Sequence, residues 1–244
     1  MRYWLNSNPE DPLAFRAQIK VVCDLYAQAA DLLAVGMHVI SSDEMTGIQA
    51  LERAYPTESV HMGQVERQEY EYIRHGTQSL IANWQVATGT VLTPSIAATR
   101  NEADFAAHIA QTIAQDPNAG WIFILDQLNT HKSETLVRLV DRLCHLKLDL
   151  GEKEHSGILK SMPTRATFLS DPNHRIRFVY VPKHSSWLNQ IECWFSILVR
   201  RLIKRGNFTS TQDLRQQILD FIAYFNRTLA KPFNWKFKGF PELD

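Results

Sequence analysis

The chain of 244 residues is 45% apolar and 21% charged, ordinary values for a globular protein. They exclude a disordered chain, a collagen, a coiled coil and a disulfide mini-protein. The zero net charge is unevenly laid out: residues 1–173 carry −7, residues 174–238 carry +9 and the last six residues −2, so a polyanion partner is expected at the basic third. Cys23, Cys144 and Cys193 form no CxxC pair and suit a reducing compartment, no apolar run reaches the ~18 residues of a membrane span, and MRYWLNSNPEDP has no signal core.

Residues 12–33 carry apolar side chains at helical spacing, with Asp11 and Pro12 as N-cap and first-turn residues and Gly36 as the stop. MHVIS reads as a buried strand that ends at Asp43, and residues 46–72 as irregular and polar. Residues 76–87 and 89–97 read as a hairpin turned at Thr88-Gly89. A helix over 101–115 has Phe105, Ile109 and Ile113 on one face. WIFIL at 121–125 is a continuous apolar run ending at Asp126, the mark of a strand covered on both sides. Ser133 caps a helix reaching about Leu146. Residues 147–174 are polar, contain Gly151, Gly157, Pro163 and Pro172, and read as a removable surface loop. IRFVYVP at 176–182 is a further strand. Helices follow over 189–205 and 211–229, the second capped by Ser210 or Thr211. This order predicts an α/β fold, a mixed sheet with helices on both faces and a ligand crevice at the strand C-termini.

Asp43 and Asp126 close two strands that can be neighbours, and Glu192 falls in the first turn of the next-to-last helix. Three converging carboxylates repel one another, and hard divalent ions relieve that repulsion. A pair of such ions activates the attacking oxygen and stabilises the leaving one in phosphoryl transfer, so convergence predicts a phosphodiester enzyme. Taken singly, each acid is as well explained as a strand end or a helix cap.

SSDEMTGIQALER (41–53), RHGTQSLIANWQVATG (74–89), FILDQLNTHKSE (123–134), VPKHSSWLNQIECWF (181–195) and KPFNW (231–235) resemble the Asp-Asp-Glu transposases of bacterial insertion sequences. The branch is the insertion-sequence-630 group, related to mariner-type elements, and the resemblance runs from about residue 10 to 238. It implies a ribonuclease-H-like catalytic core with a five-stranded sheet. It also implies two Mg²⁺ or Mn²⁺ ions held by Asp43, Asp126 and Glu192, and cleavage and strand transfer of DNA at insertion-sequence ends. The expected setting is a homodimer in the bacterial cytosol, at the nucleoid.

The expected organisation is a linker helix over 1–35, a catalytic domain over 36–238 with the polar insertion 147–174, and a tail over 239–244. The family's helix-turn-helix reader has no counterpart here, so a reader encoded in an upstream frame is an expected partner. Sixty-five residues lie between Asp126 and Glu192, about twice the mariner-type spacing, and Gln127 occupies a position where Asn is common. His131, Lys183, His184, Asn189, Arg200, Arg201, Lys204 and Arg205 are the candidate DNA contacts. Trp187 and Trp194 are candidates for base stacking or for core, and Cys193 for packing. Two other readings compete: a truncated, non-catalytic remnant that binds DNA or dimerises, and a cellular nuclease of RNA–DNA hybrids, against which PKHSSWLNQIE speaks.

Overall fold

Local signals set most element boundaries in the computed structural model, which describes residue 9 and residues 11–56, 58–67 and 71–240. Helix α1 (Pro12–Ala34) starts under Asp11, whose carboxylate accepts from the N–H groups of Leu13 and Ala14, both at 3.0 Å. Helix α2 (Glu102–Ile113) opens on a capping box between Asn101 and Asp104, α3 (Glu134–Leu143) on Ser133 and α6 (Thr211–Thr228) on Ser210.

The strands are β1 (Met37–Arg53), β2 (Tyr72–Gln85), β3 (Thr90–Ala97), β4 (Gly120–Leu125) and β5 (Ile176–Tyr180), in the order β3-β2-β1-β4-β5. The β1–β2 and β2–β3 pairs are antiparallel, and β1–β4 and β4–β5 are parallel. The apolar run of β4 serves both faces. Ile122 and Ile124 pack with α1, α5 (Gln190–Leu198) and α6, while Trp121, Phe123 and Leu125 pack with α2, α3 and α4 (Met162–Leu169). This is the expected mixed five-stranded α/β sheet with helices on both faces. Among the described residues no helix is long and apolar enough to cross a membrane.

The KPFNW segment crosses the β2–β3 hairpin. A Cβ at Gly89 would lie 2.0 Å from the Lys231 carbonyl oxygen, so only glycine, here at φ +71°, lets the two backbones approach. Phe233 stacks on Trp84 at 4.5 Å and Trp235 meets Tyr26 edge-on at 5.3 Å.

Three readings of the sequence need correction. First, β1 does not end at Asp43. It runs on to Arg53 paired with β2, burying Ile48 and Ala50 between exposed neighbours, and bulges on either side of Ile48 blur that alternation in the sequence. Second, 147–174 is not only polar surface. Leu150, Leu159, Phe168 and Leu169 are buried in the core below α3, and α4 forms on a capping box between Ser161 and Thr164. Each such side chain is worth about 1.5–3 kcal/mol of apolar burial. Third, the helix expected over 189–205 is α5 followed by a π-turn over Val199–Ile203. Residues 1–8 and 10 of the expected linker helix and 241–244 of the tail lie outside the described residues.

Candidate active site

Parallel pairing of β1 with β4 ends at Ser41 opposite Ile124, so two residues further on Asp43 and Asp126 stand side by side at the end of that ladder. The start of α5 is tied to the same place. Ser41 Oγ donates to Asn189 Oδ1 and accepts from the N–H of Ile191 at 2.9 Å. Asn189 Nδ2 donates to the Ser42 carbonyl and to Asp43 Oδ2, both at 3.0 Å. Gln190 Oε1 accepts from Trp84 Nε1 at 3.2 Å, and Tyr26 Oη donates to the Leu188 carbonyl at 2.8 Å. These ties orient α5 so that the carboxyl of its third residue, Glu192, meets that of Asp43.

A second network lies on the other face. Strand alternation points Glu44 away from Asp43, toward His131 and Arg100. His131 Nδ1 is 2.8 Å from Asp126 Oδ1, its Nε2 is 3.8 Å from Glu44 Oε1, and Arg100 pairs with Glu44. The His131 ring packs on Phe105, and its carbonyl accepts from Tyr180 Oη at 2.8 Å.

The two networks give four neighbouring carboxyls different charge balances. Burial raises Asp43 to about 7, and the nearby charges of Asp126 and Glu192 add to the rise. Burial and the Asp126 charge also raise Glu192. Burial opposes ionisation of Asp126 and Glu44, but the close contact and charge of His131 on Asp126, and the charges of His131 and Arg100 on Glu44, hold both below their ordinary values. Burial likewise opposes the charge on His131, and its two carboxylate partners override it and raise the imidazole to about 9. Asp126 and Glu44 therefore have cations, whereas neither Asp43 nor Glu192 has an ion-pair partner among the described residues. Among those residues, too, no three His, Cys, Asp or Glu side chains form a ready-made metal cage. The donor set is all carboxylate oxygen, with two members short of positive charge, and it suits a hard ion such as Mg²⁺ or Mn²⁺.

The structure reassigns several candidate DNA contacts. His131 and Asn189 are fully buried and hold Asp126 and Asp43, so neither offers a surface to DNA. Lys183 and His184 are exposed on the loop after β5, His184 at φ +60°. Arg200 and Arg201 line a cleft of about 490 Å³ with Trp84, Phe225 and Lys231, whereas Lys204 and Arg205 line two others. None of these clefts includes an acid of the trio. Trp194 is fully buried core, Trp187 is half exposed against Phe237, and Cys193 is exposed rather than packed. Glu44, Arg100 and Lys132 went unassigned by sequence reasoning. For Glu44 the signal was available, because consecutive acids in a strand must face opposite sides.

A family model of DDE superfamily endonucleases matches residues 38–215, a span that includes Asp43, Asp126 and Glu192. The chain belongs to this family. None of the curated proteins matches it. Among solved structures, the DDE chain resembles the Mos1 mariner paired-end complex with Mn at a TM-score of 0.55 and 12% identity, over 92% of this chain and 59% of that one. The catalytic domain of Mos1 mariner transposase matches at 0.52 and 9%, over 90% and 85%. The Mos1 strand transfer complex matches at 0.50 and 14%, over 91% and 58%. At these identities it is the fold that is shared, and the fold is ribonuclease-H-like. The chain spans 59% of the first of these structures.

Proposed function

We propose that this DDE endonuclease chain is the catalytic unit of a transposase that cuts and joins DNA at the ends of an insertion sequence, with Asp43, Asp126 and Glu192 as its catalytic acids. One observation carries the reading: at the end of the parallel ladder Asp43 and Glu192, two carboxyls with no ion-pair partner among the described residues, meet beside a third, Asp126, that His131 holds below its ordinary value. Two Mg²⁺ or Mn²⁺ ions held by the three acids would supply activation of the attacking oxygen and neutralise charge on the leaving one. The chain's own residues do the positioning. Asn189 fixes the rotamer of Asp43, the first turn of α5 brings Glu192 to it, and His131 keeps Asp126 in its charged form.

DNA backbone contacts fall to Lys183, His184, Arg200, Arg201, Lys204 and Arg205 in the basic third of the chain. Action as a homodimer in a bacterial cytosol belongs to the same proposal and rests on the family resemblance. A non-catalytic remnant is not favoured, since all three acids are present and their supports intact.

The test is nicking of supercoiled plasmid in Mg²⁺. Asp126→Asn is expected to abolish it while DNA binding stays the same or tightens, because a charge that repels phosphate is gone. Nicking that survives this change would remove Asp126 from catalysis.

A further inference from the structure

Beside the acids, on the β5 side, lies a cationic feature that the acidic site does not use. Lys132 closes the short 3₁₀ turn Thr130–Lys132 and is held at every end. Its Nζ donates to Gln127 Oε1 at 3.2 Å and sits 4.8 Å from the centre of the Tyr180 ring. Gln127 Nε2 donates in turn to the Val181 carbonyl at 3.1 Å. The Lys132 carbonyl accepts from Nε of the buried Arg165 on α4, at 2.7 Å. Lys183, two residues beyond Val181, is near enough for its charge to act on Lys132, and so is Asp126. Among the described residues neither lysine has a carboxylate within ion-pair distance. Two mutually repelling ammonium groups, one of them anchored by an amide and an aromatic face, are organised for an anion that comes from outside the chain.

We propose that Lys132 and Lys183 form a subsite for one phosphodiester of the DNA strand beside Asp126, and that Gln127 is the positioning residue that aims Lys132 into it. This rests on the reading of the cleft as a DNA-cutting site, and it gives Gln127 a task. The side chain bridges Val181, just after β5, and Lys132, and an asparagine, one methylene shorter, cannot span both partners. It also gives the 147–174 segment a part in the site, through Arg165.

The experiment measures binding of the full chain to a labelled oligonucleotide duplex in EDTA, across a salt series. Lys132→Gln with Lys183→Gln is expected to flatten the log–log salt slope by about two units and weaken low-salt binding by about tenfold per lysine. The equal-charge control, Lys153→Gln with Lys160→Gln on the exposed surface of 147–174, is expected to change neither. Lys132→Arg alone should keep the parent slope, and Gln127→Leu should weaken binding while the chain stays folded at the assay temperature. In the unaltered chain, bound DNA should protect Lys132 and Lys183 from acetylation. This readout needs no variant to fold. Equal acetylation of Lys132 with and without DNA, or a pair variant no different from the control, would overturn the subsite. Because these arms require no cutting, they fail independently of the Asp126→Asn nicking test.

Discussion

Removing the charge of Asp43 should make the metal-free protein more stable at alkaline pH while destroying the proposed activity. Folding raises this carboxyl from 3.8 to about 7. A group whose ionised form the fold disfavours burdens stability fully above pH 7, and the burden fades as pH falls toward 3.8. Three units correspond to about 4 kcal/mol at pH 8, and about 1.6 kcal/mol at pH 5. Asp43→Asn removes this burden at both values but adds a constant cost. The carboxylate accepts from the Glu44 N–H at 2.8 Å and from Asn189 Nδ2 at 3.0 Å, and an amide can accept only one of the two. The donor left unpaired costs about 1–3 kcal/mol. The variant should therefore be about 2 kcal/mol more stable than the parent at pH 8 and near parity at pH 5. Urea denaturation in EDTA at the two pH values measures this directly. A variant less stable by the same amount at both would refute the argument, because it would mean that Asp43 carries no electrostatic burden in the fold.

Asn189→Ala cuts the donor pair that joins α5 to Ser42 and Asp43 and leaves Ser41 Oγ without its acceptor. A loss of about 3 kcal/mol in urea and weaker Mn²⁺ binding by calorimetry are expected. Replacing 147–174 with a short linker should abolish cooperative unfolding, and Phe168→Ala alone should cost about 3–5 kcal/mol by thermal or urea melts. His108 is buried, neither ring nitrogen has a hydrogen-bond partner among the described residues, and its burial lowers it to about 4. The unfolded chain takes up a proton near pH 6.5 that the fold refuses. The advantage of His108→Leu over the parent should therefore grow by about 3 kcal/mol between pH 7 and pH 4 in urea melts. His131 works in the opposite sense. Raised to about 9, it adds stability below pH 6.5 that is lost as pH climbs through 9, a loss that His131→Gln should abolish in the same melts.

What could be read from the sequence is what neighbours along the chain decide. Asp11, Ser133 and Ser210 cap helices through hydrogen bonds to N–H groups two or three residues away, and the apolar run before Asp126 needs no partner to declare a buried strand. The acids stood out because Asp43 and Asp126 follow apolar runs and Glu192 falls in the first turn of a helix. Their wiring did not stand out, because it joins residues far apart: Ser41 and Asn189, 148 positions distant, meet only when α5 packs across β1. Before that packing exists, a polar residue next to a basic loop looks like a DNA contact. Burial turned Asn189 and His131 into supports for Asp43 and Asp126, since a fully buried polar group must find its partner inside the protein. The same holds for 147–174. Its glycines, prolines and charges describe its surface, while Leu150, Leu159, Phe168 and Leu169 acquire their role only from the floor that α3 and β5 provide. Local chemistry determined where the elements begin and which acids could act. Tertiary packing decided which polar groups face water and which hold those acids in place, because desolvation is a property of the assembled fold.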